Sequence, residues 1–265
     1  MPRDVVSRCM DETGQDVFLD ISFLGKEEIL RKLSEVYDVC LKYRGIDISK
    51  QCIPVSPSVH FFMGGIAVKN NHETNIKNLY AIGECASIYH GANRLGGNSL
   101  LAAVYSGITA AKDIYVSTDG STYEDFESEL AEERERLKGF RQSKSVFPVM
   151  YVRDMLAETM KENLGISRNE ERLKQGMEDV SFFLSVADKI HYDKSEMAYL
   201  SYSLEAILTL AKATLLCAKE RKESRGAHTR SDYKEKKEEY AASTIISYDH
   251  GAFGIRLDRE GEYEH

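Results

Sequence analysis

The sequence predicts an α/β segment followed by an all-α helical bundle. Residues 1–115 alternate short apolar runs, such as VFLDI, CIPV, GGIAV and LYAIG, with helix-like pieces, and they hold most of the glycines. The STDGST stretch at 117–122 is rich in turn-forming residues. Beyond it, apolar residues recur at helical spacing up to about residue 222. We therefore expect three parts, residues 1–117, a bundle over 118–225, and a C-terminal tail over 226–265.

The composition is that of a soluble globular protein with enough apolar residues for a core. The 265 residues are 42% hydrophobic and 29% charged, with a net charge of −8 at pH 7. This acidic balance argues against nucleic acid as a partner. The five cysteines are scattered without a CxxC pair, so we expect reduced thiols in a cytoplasmic compartment and no metal site. No run of 18 apolar residues occurs, so no direct membrane span is expected.

Start signals place four helices in the second part. Ser121 with Glu124, and Ser167 with Glu170, have the spacing of a capping box and open the first and third helices. Pro148 opens the second, since proline is favoured at the first turn of a helix.

Apolar stripes run along all four predicted helices, and the fourth extends from about Ser195 to Lys222. Such stripes are typical of the core face of an antiparallel bundle. Their members are Tyr123, Phe126, Leu130, Leu137 and Phe140; Val152, Met155, Leu156, Thr159 and Met160; Leu173, Met177, Val180, Leu184 and Ala187; and Met197, Leu200, Leu204, Ile207, Leu208, Ala211 and Leu215. The polar end contains one apolar run, STIISY at 243–248, which is expected as a short strand before a loose tail.

A loop rich in glycine and polar residues, HGANRLGGNSL at 90–100, precedes an apolar helix-like run. The glycine pair at 96–97 lets the backbone approach a flat or anionic ligand, because no Cβ intervenes. The amides of residues 98–100 would begin the helix, whose free N–H groups favour negative charge. Arg94 offers a planar pair of donors suited to a carboxylate. An ordinary strand–loop–helix connection with a surface arginine is the alternative explanation.

Two upstream stretches strengthen the ligand hypothesis. SVHFFMGGI at 58–66 puts His60 just before a second glycine pair, and LYAIGECA at 79–86 is an apolar run that ends near Glu84. A polar group at the end of a strand is a usual way to contact a ligand. Taken alone, His60 is more often a structural histidine, and Glu84 a cap or a solvated carboxylate.

These stretches, in order, resemble the flavoprotein subunits of succinate dehydrogenase and fumarate reductase, which are related to L-aspartate oxidase. The matching motifs are PRDVVSR (2–8), FLDIS (18–22), PSVHFFMGGI (57–66), NLYAIGECA (78–86), HGANRLGGNSLL (90–101) and RKESRGAH (221–228). The resemblance implies an FAD-dependent oxidoreductase that interconverts succinate and fumarate by hydride transfer to or from flavin N5. Aspartate oxidase chemistry, and a non-catalytic helical module that docks an electron-transfer subunit, are the alternatives.

The resemblance also implies roles for individual residues. Arg3 matches the arginine that passes a proton to or from the substrate carbon, and His60 and Arg94 match the pair that holds the dicarboxylate. The positions that match FAD-contacting residues are Gly64, Gly65, Glu84, Asn98, Ser99 and Leu100. An iron–sulfur subunit is the implied partner, and any membrane association is expected through partner subunits.

The sequence departs from the family in several ways. No G-x-G-x-x-G fingerprint follows a strand, so we expect a C-terminal portion of a longer flavoprotein, with an incomplete FAD site and no activity alone. Five residues separate Glu84 from His90 where many relatives have six, and there is no Trp. For Arg225 and His228 in the RKESRGAH motif, we expect a structural docking role rather than catalysis.

Overall fold

The computed structural model describes residues 15–117, 126–142, 147–190, 197–249 and 251–259, together with Val6, Cys9, Met10 and Thr13. The chain forms two compact units, residues 1–60 and 61–265. The predicted domain boundaries at residues 117 and 225 stay a prediction.

The first unit combines a two-stranded ladder with two helices. Strand β1 (Val17–Leu19) pairs in antiparallel register with β2 (Ile53–Val55). Helices α1 (Lys26–Lys32) and α2 (Ser34–Arg44) lie between them in the sequence. Helix α2 ends at Gly45, whose left-handed conformation lets its N–H reach two carbonyls of the last turn.

A small core holds the first unit together. Ile29 from α1, Tyr37 from α2 and Ile48 from the following turn are buried against one another. Partly buried apolar residues complete this cluster, namely Ile21, Leu33, Cys40, Ile46 and Ile53. The two short helices therefore bury their apolar faces in one shared core, and neither helix could bury its face alone.

The second unit begins with a mostly irregular stretch that leads into a long helix. Single bridges join Ile66 of the GGIAV run to Ala86, and Tyr80 of the LYAIG run to Glu73. A 3₁₀ turn over Gly83–Cys85 follows, and helix α3 spans Asn98–Ser117. This α/β part therefore contains short pairings and one long helix within the described residues.

Four helices follow, and three of them build the main core. They are α4 (Glu127–Gln142), α5 (Val149–Asn163), α6 (Glu170–Val186) and α7 (Ala198–Glu220). The predicted second, third and fourth helices are confirmed, and their stripes supply the buried core residues Val152, Leu156, Leu173, Val180, Leu200, Leu204, Leu208, Ala211 and Leu215. The stripe of the first helix is different, because Phe126 and Leu130 are exposed.

One predicted helix start is wrong, and another falls outside the structure. The cap of α6 is Asn169, whose side chain accepts a hydrogen bond from the Arg172 N–H at 2.9 Å. Ser167 cannot cap the helix, because it lies in strand β3 (Ser167–Arg168), which pairs in parallel with β4 (Thr229–Arg230). The proposed box of Ser121 and Glu124 lies outside the described residues.

The end of the chain forms a hairpin, so the predicted loose tail is wrong as far as residue 258. Strand β5 (Ser243–Asp249) confirms the predicted strand and pairs with β6 (Ala252–Asp258). The Tyr248 and Phe253 rings pack against each other at a tilt of 46°, with 4.9 Å between their centroids. This cross-strand aromatic pair stabilises the hairpin.

Helix α7 is the one described helix that is long and apolar enough to cross a membrane by length and composition. Its face with Leu200, Leu204 and Leu208 is buried against α5 and α6. Its apolar character is thus explained by its place at the centre of the bundle.

The bundle core makes a direct stability prediction. Leu208→Ala should lower the free energy of unfolding by about 2–5 kcal/mol, since it removes a fully buried side chain and leaves a cavity. Leu210→Ala, on the same helix but exposed, should change it by no more than about 0.5 kcal/mol. Urea titration followed by circular dichroism measures both variants, and equal effects would contradict the assigned core face.

Candidate functional site

The turn that carries Glu84 is fixed on helix α3. Gly83 has a φ of 69°, and its N–H donates to the Ser106 hydroxyl at 2.8 Å. Ser106 is fully buried, and its hydroxyl donates in turn to the Ala103 carbonyl at 3.0 Å. Glu84 itself is exposed, and its carboxylate accepts a hydrogen bond from the Phe62 N–H at 2.9 Å. The carboxylate therefore sits at the end of the apolar run, as predicted, and holds the segment that follows His60.

The glycine pair at 64–65 packs against the same turn. A Cβ on Gly65 would lie 2.3 Å from the Cys85 carbonyl oxygen, which also accepts from the Ile66 N–H at 2.7 Å. Gly64 has no described atom within 4 Å of where its Cβ would be. The need for glycine at 65 is therefore explained by packing inside the chain, while Gly64 presents bare backbone.

Arg94 has a stacked but unpaired guanidinium. Its Cζ lies 4.4 Å from the centroid of the Phe61 ring, and one terminal nitrogen approaches the Leu95 carbonyl at 3.5 Å. The Arg94 Nε atom is buried and has no hydrogen-bond partner among the described residues. A buried donor without a partner is unusual and costly. Arg94 is therefore suited to binding an anionic ligand.

An aromatic cluster supports the arginine. His90 meets the Phe61 ring edge-on at a centroid distance of 5.3 Å and lies next to Tyr89. Burial, and then the positive charge of Arg94, lower the pKa of His90. The imidazole is thus biased toward its neutral form, which avoids a second positive charge beside Arg94.

Two members of this cluster were missed by the sequence reasoning. The Tyr89 hydroxyl hydrogen-bonds to Nε2 of His72, which is buried and has a positive φ of 70°. Burial lowers the pKa of His72 and raises the pKa of Tyr89, so both are held neutral. The two residues are 17 positions apart, so no local motif joins them. The NNH turn before the strand-like run was the available signal for His72.

The start of α3 presents an open, partly apolar surface. Gly97 has a φ of 85° and no described atom within 4 Å of where a Cβ would lie, and the Asn98 N–H donates to the Leu95 carbonyl at 3.3 Å. No acidic side chain lies in the first helical turn, and Leu100 is 76% exposed. Helical N–H groups beside exposed apolar side chains fit the flat ring of FAD, which has an electron-rich carbonyl edge.

These predicted site residues fall into four groups. Glu84 and Arg94 are tied to the adjacent residues Phe62 and Phe61, and so lie around one segment of the second unit. Asn98 and Ser99 are partly buried at the start of α3. His60 is exposed and is the last residue of the first unit. Arg3 lies outside the described residues. The roles of all these residues stay predictions.

The RKESRGAH motif surrounds a buried carboxylate. Glu223 is fully buried and accepts hydrogen bonds from Arg221 at 2.7 Å, Arg225 at 2.9 Å and the Lys237 N–H at 3.0 Å. Burial alone would raise the pKa of Glu223, but the hydrogen bonds from Arg225, Lys237 and Arg221 outweigh it and lower that pKa to about 2. The carboxylate is therefore ionised and fully engaged inside the protein.

His228 is also committed to internal contacts. Its Nε2 donates to the Arg221 carbonyl at 3.0 Å, and its Nδ1 accepts from the Arg168 guanidinium at 2.9 Å. Burial lowers the pKa of His228 to about 4, and the charges of Arg168, Arg221 and Arg230 act in the same direction. Both ring nitrogens of the neutral imidazole are used, as the predicted structural role requires.

Comparisons with known proteins cover both halves of the chain. Residues 1–100 match the FAD binding domain family, and residues 153–261 match the fumarate reductase flavoprotein C-terminal family. The chain is 34% identical over 253 residues to an uncharacterized FAD-dependent oxidoreductase of Methanocaldococcus jannaschii, covering 92% of this chain and 46% of that protein. It is 32% identical over 243 residues to the fumarate reductase flavoprotein subunit of Haemophilus influenzae, covering 88% and 40%.

A solved structure gives the same result. A quinol fumarate reductase flavoprotein of E. coli matches 97% of this chain and 48% of its own, with a TM-score of 0.84 and 29% identity. The chain spans about half the length of the curated relatives it matches.

An FAD binding domain segment followed by this helical domain defines part of a flavoprotein. More particularly, the chain belongs to the family of succinate dehydrogenase and fumarate reductase flavoproteins, and FAD is the cofactor of its incomplete site.

The Glu223 cluster predicts a pH-dependent stability. Because the pKa of Glu223 falls from 4.5 to about 2 on folding, its stabilisation is present above about pH 4.5 and is lost as the pH falls toward 2. Glu223→Gln should lower the free energy of unfolding by about 3 kcal/mol at pH 7, because it leaves two partly buried arginines without this anion.

The effect of Glu223→Gln should shrink as the pH is lowered from 5 to 2, in urea titrations at each pH. The control is Glu239→Gln, an exposed carboxylate beside Lys237, for which a change below about 0.5 kcal/mol is expected. A variant effect that is independent of pH would show that the Glu223 charge does not stabilise the fold.

Proposed function

We propose that this chain forms the part of an FAD-dependent oxidoreductase that holds the substrate and the flavin ring, in an enzyme that interconverts succinate and fumarate. The observation that carries the proposal is Arg94, whose guanidinium has a buried Nε without a partner in the part of the chain that the structure describes, and lies just before the open start of α3. The family membership supports the substrate class, since relatives are named as fumarate reductase and succinate dehydrogenase flavoprotein subunits.

Arg94 would bind one carboxylate of the dicarboxylate through two parallel N–H donors. The Phe61 ring, whose centroid lies 4.4 Å from Cζ, would restrict the guanidinium before substrate arrives, so that binding requires little reorganisation. His60, next to Phe61 in the sequence, would donate a second hydrogen bond to the substrate. The neutral form of His90 would keep the site from carrying excess positive charge when it is empty.

FAD, when bound, would supply the hydride transfer. The N–H groups of Asn98, Ser99 and Leu100 at the start of α3 would orient the electron-rich edge of its ring. Glu84 and Gly64 would contact the cofactor from the neighbouring turn. Arg3 would hold the proton that passes to or from the substrate carbon; a desolvated guanidinium among other cations can serve as an acid.

The exposed face of α3 supports the idea that the chain works within a longer flavoprotein. Apolar residues line this face at helical spacing: Leu101, Val104, Tyr105 and Ile108 are all exposed. A stripe of this kind requires a packing partner. The relatives, which are about twice as long, support a further polypeptide segment as that partner.

The proposed assembly includes an iron–sulfur subunit as the electron partner, with cytoplasmic location and membrane association through other subunits. L-Aspartate oxidase chemistry is the alternative for the same site, and a helical docking module is the alternative for the isolated chain. In an enzyme of full family length, fumarate reduction by a reduced dye supports the main proposal. Oxygen-dependent oxidation of L-aspartate without fumarate reduction would favour the first alternative.

The isolated chain should be colourless and inactive. It lacks the glycine fingerprint for the FAD pyrophosphate, and α3 leaves its apolar face open. Absorbance between 350 and 500 nm, after incubation with FAD and gel filtration, is the measurement, together with succinate-dependent dye reduction. Stoichiometric flavin in the protein peak would contradict the expectation, and a purified flavoprotein of family length serves as the positive control.

In the full-length flavoprotein, Arg94→Lys should lower kcat/KM for fumarate by at least about tenfold, equivalent to about 1.4 kcal/mol. The reason is that a lysine cannot reproduce the bidentate fork or the stacking on Phe61. Arg153→Lys, at an exposed position on α5, is the matched control and should leave kcat/KM unchanged. Steady-state kinetics are the measurement, and a normal kcat/KM for Arg94→Lys would contradict the proposal that Arg94 binds the substrate carboxylate.

A further inference from the structure

The RGAH turn (Arg225–His228) touches the loop that carries Arg94. The Ala227 N–H donates to the Ala92 carbonyl at 2.9 Å. Gly226 has a φ of 59°, and a Cβ on it would lie 2.1 Å from that same carbonyl oxygen. The contact is therefore a close backbone approach that only glycine permits, for both conformational and steric reasons.

The arginine loop is defined as residues 90–97, and its backbone makes few other hydrogen bonds. Gly91 and Gly97 have positive φ values of 51° and 85°, and neither has a described atom within 4 Å of where a Cβ would lie. One backbone hydrogen bond lies inside the loop, from the Asn93 N–H to the His90 carbonyl at 3.2 Å. Apart from the bond that starts α3, the bond from Ala227 is the one backbone hydrogen bond between the loop and other described residues. The loop backbone is thus conformationally permissive, and beyond the start of α3 one backbone hydrogen bond anchors it, while His90 and Arg94 pack on Phe61 through their side chains.

The RGAH turn is a rigid anchor in comparison. Arg225 and His228 exchange two backbone hydrogen bonds, at 2.8 and 3.0 Å, which close the turn around Gly226. The Arg225 side chain is held by the buried Glu223 at 2.9 Å, and both imidazole nitrogens of His228 are engaged. Buried, fully satisfied networks of this kind restrict motion strongly.

The bundle extends this anchor. Arg230, two residues after the turn, is fully buried and donates to the Ala218 carbonyl of α7 at 3.1 Å. It also reaches Glu170 of α6 at 3.3 Å and Asp232 at 2.7 Å. The turn is therefore fixed to two helices of the bundle, in a part of the fold that is far from Ala92 in sequence.

We propose that the RGAH turn is a positioning element that fixes the arginine loop through the Ala92 carbonyl and so holds Arg94 over Phe61. The proposal rests on the proposed function of Arg94 as the carboxylate clamp. Ala92 lies two residues before Arg94, so a displacement of its carbonyl is transmitted directly to the Arg94 backbone. Geometric errors of about 1 Å at such a clamp are enough to slow catalysis substantially.

The test uses the 265-residue chain and Gly226→Ala, with Gly251→Ala as the matched control. Gly251 also has a positive φ, of 87°, but no described atom within 4 Å of where a Cβ would lie. The two variants thus share the conformational strain, and only Gly226→Ala adds the clash with Ala92. Both are read by backbone NMR of the loop amides, by hydrogen exchange of the Ala227 amide and by titration of the His90 imidazole.

For Gly226→Ala we expect shifted amide resonances at residues 90–95 and Ala227 exchange about tenfold faster, equivalent to about 1.4 kcal/mol. The pKa of His90 should rise toward its ordinary value as Arg94 moves away, with Tyr89 still in place beside it. Gly251→Ala should change none of these. Unaltered loop resonances and an unaltered His90 titration in a folded Gly226→Ala variant would overturn the proposal, as would equal changes in Gly251→Ala.

If Gly226→Ala does not fold, the wild-type chain decides the question. The Ala227 amide should then be as protected from exchange as the Arg225 and His228 amides, and an unprotected Ala227 amide overturns the anchor. None of these readouts depends on flavin or on turnover. Failure of the anchor is therefore distinguishable from failure of the proposed function, which the Arg94→Lys kinetics test separately.

Discussion

A buried carboxylate organises the end of the chain. Glu223 is without solvent contact, so its charge must be met by protein donors, and Arg221, Arg225 and the Lys237 N–H supply them. Arg221 also donates to the Ala242 carbonyl at 2.9 Å, just before the hairpin begins. One ion cluster therefore joins the end of α7, the RGAH turn and the hairpin, and each of these would lose its position without it.

The arginines of the second unit divide by their partners. Arg221, Arg225 and Arg230 are each paired with a carboxylate within 3 Å, which fixes them as structural groups. Arg94 has an aromatic face in place of an acid among the described residues. Aromatic rings also face Arg221 and Arg230, so the difference lies in the acid: a guanidinium paired with a carboxylate is already neutralised, and Arg94 keeps its donors for a ligand. This contrast distinguishes Arg94 from Arg221, Arg225 and Arg230 and supports its proposed place in the site.

The sequence predicted what depends on local periodicity and on ordered motifs. Helices α5, α6 and α7 follow from apolar spacing, and Arg94 and Glu84 from their motifs. The capping box predicted at Ser167 was wrong because the Ser167 backbone pairs with Thr229 in a strand. A four-residue sequence pattern carries no information about a partner so far along the chain. The prediction of a loose tail was wrong because the polar sequence after residue 248 still pairs as a strand, for example Ile255 with Ile246. The contact between Gly226 and Ala92 is likewise a purely tertiary feature.

The unpaired guanidinium must be stable before any ligand binds, and the surrounding aromatic residues explain how. A cation over the Phe61 ring gains an electrostatic attraction that partly replaces an acidic partner. His90, edge-on to the same ring, stays neutral because burial and Arg94 both lower its pKa. Donors fixed in this way need no reorganisation when a carboxylate arrives, which is the condition for stabilising charge most strongly in a closed site. The Phe61 ring and the neutral His90 therefore let the fold hold Arg94 without an acidic partner among the described residues. The same contacts leave its donors preorganised for an anion.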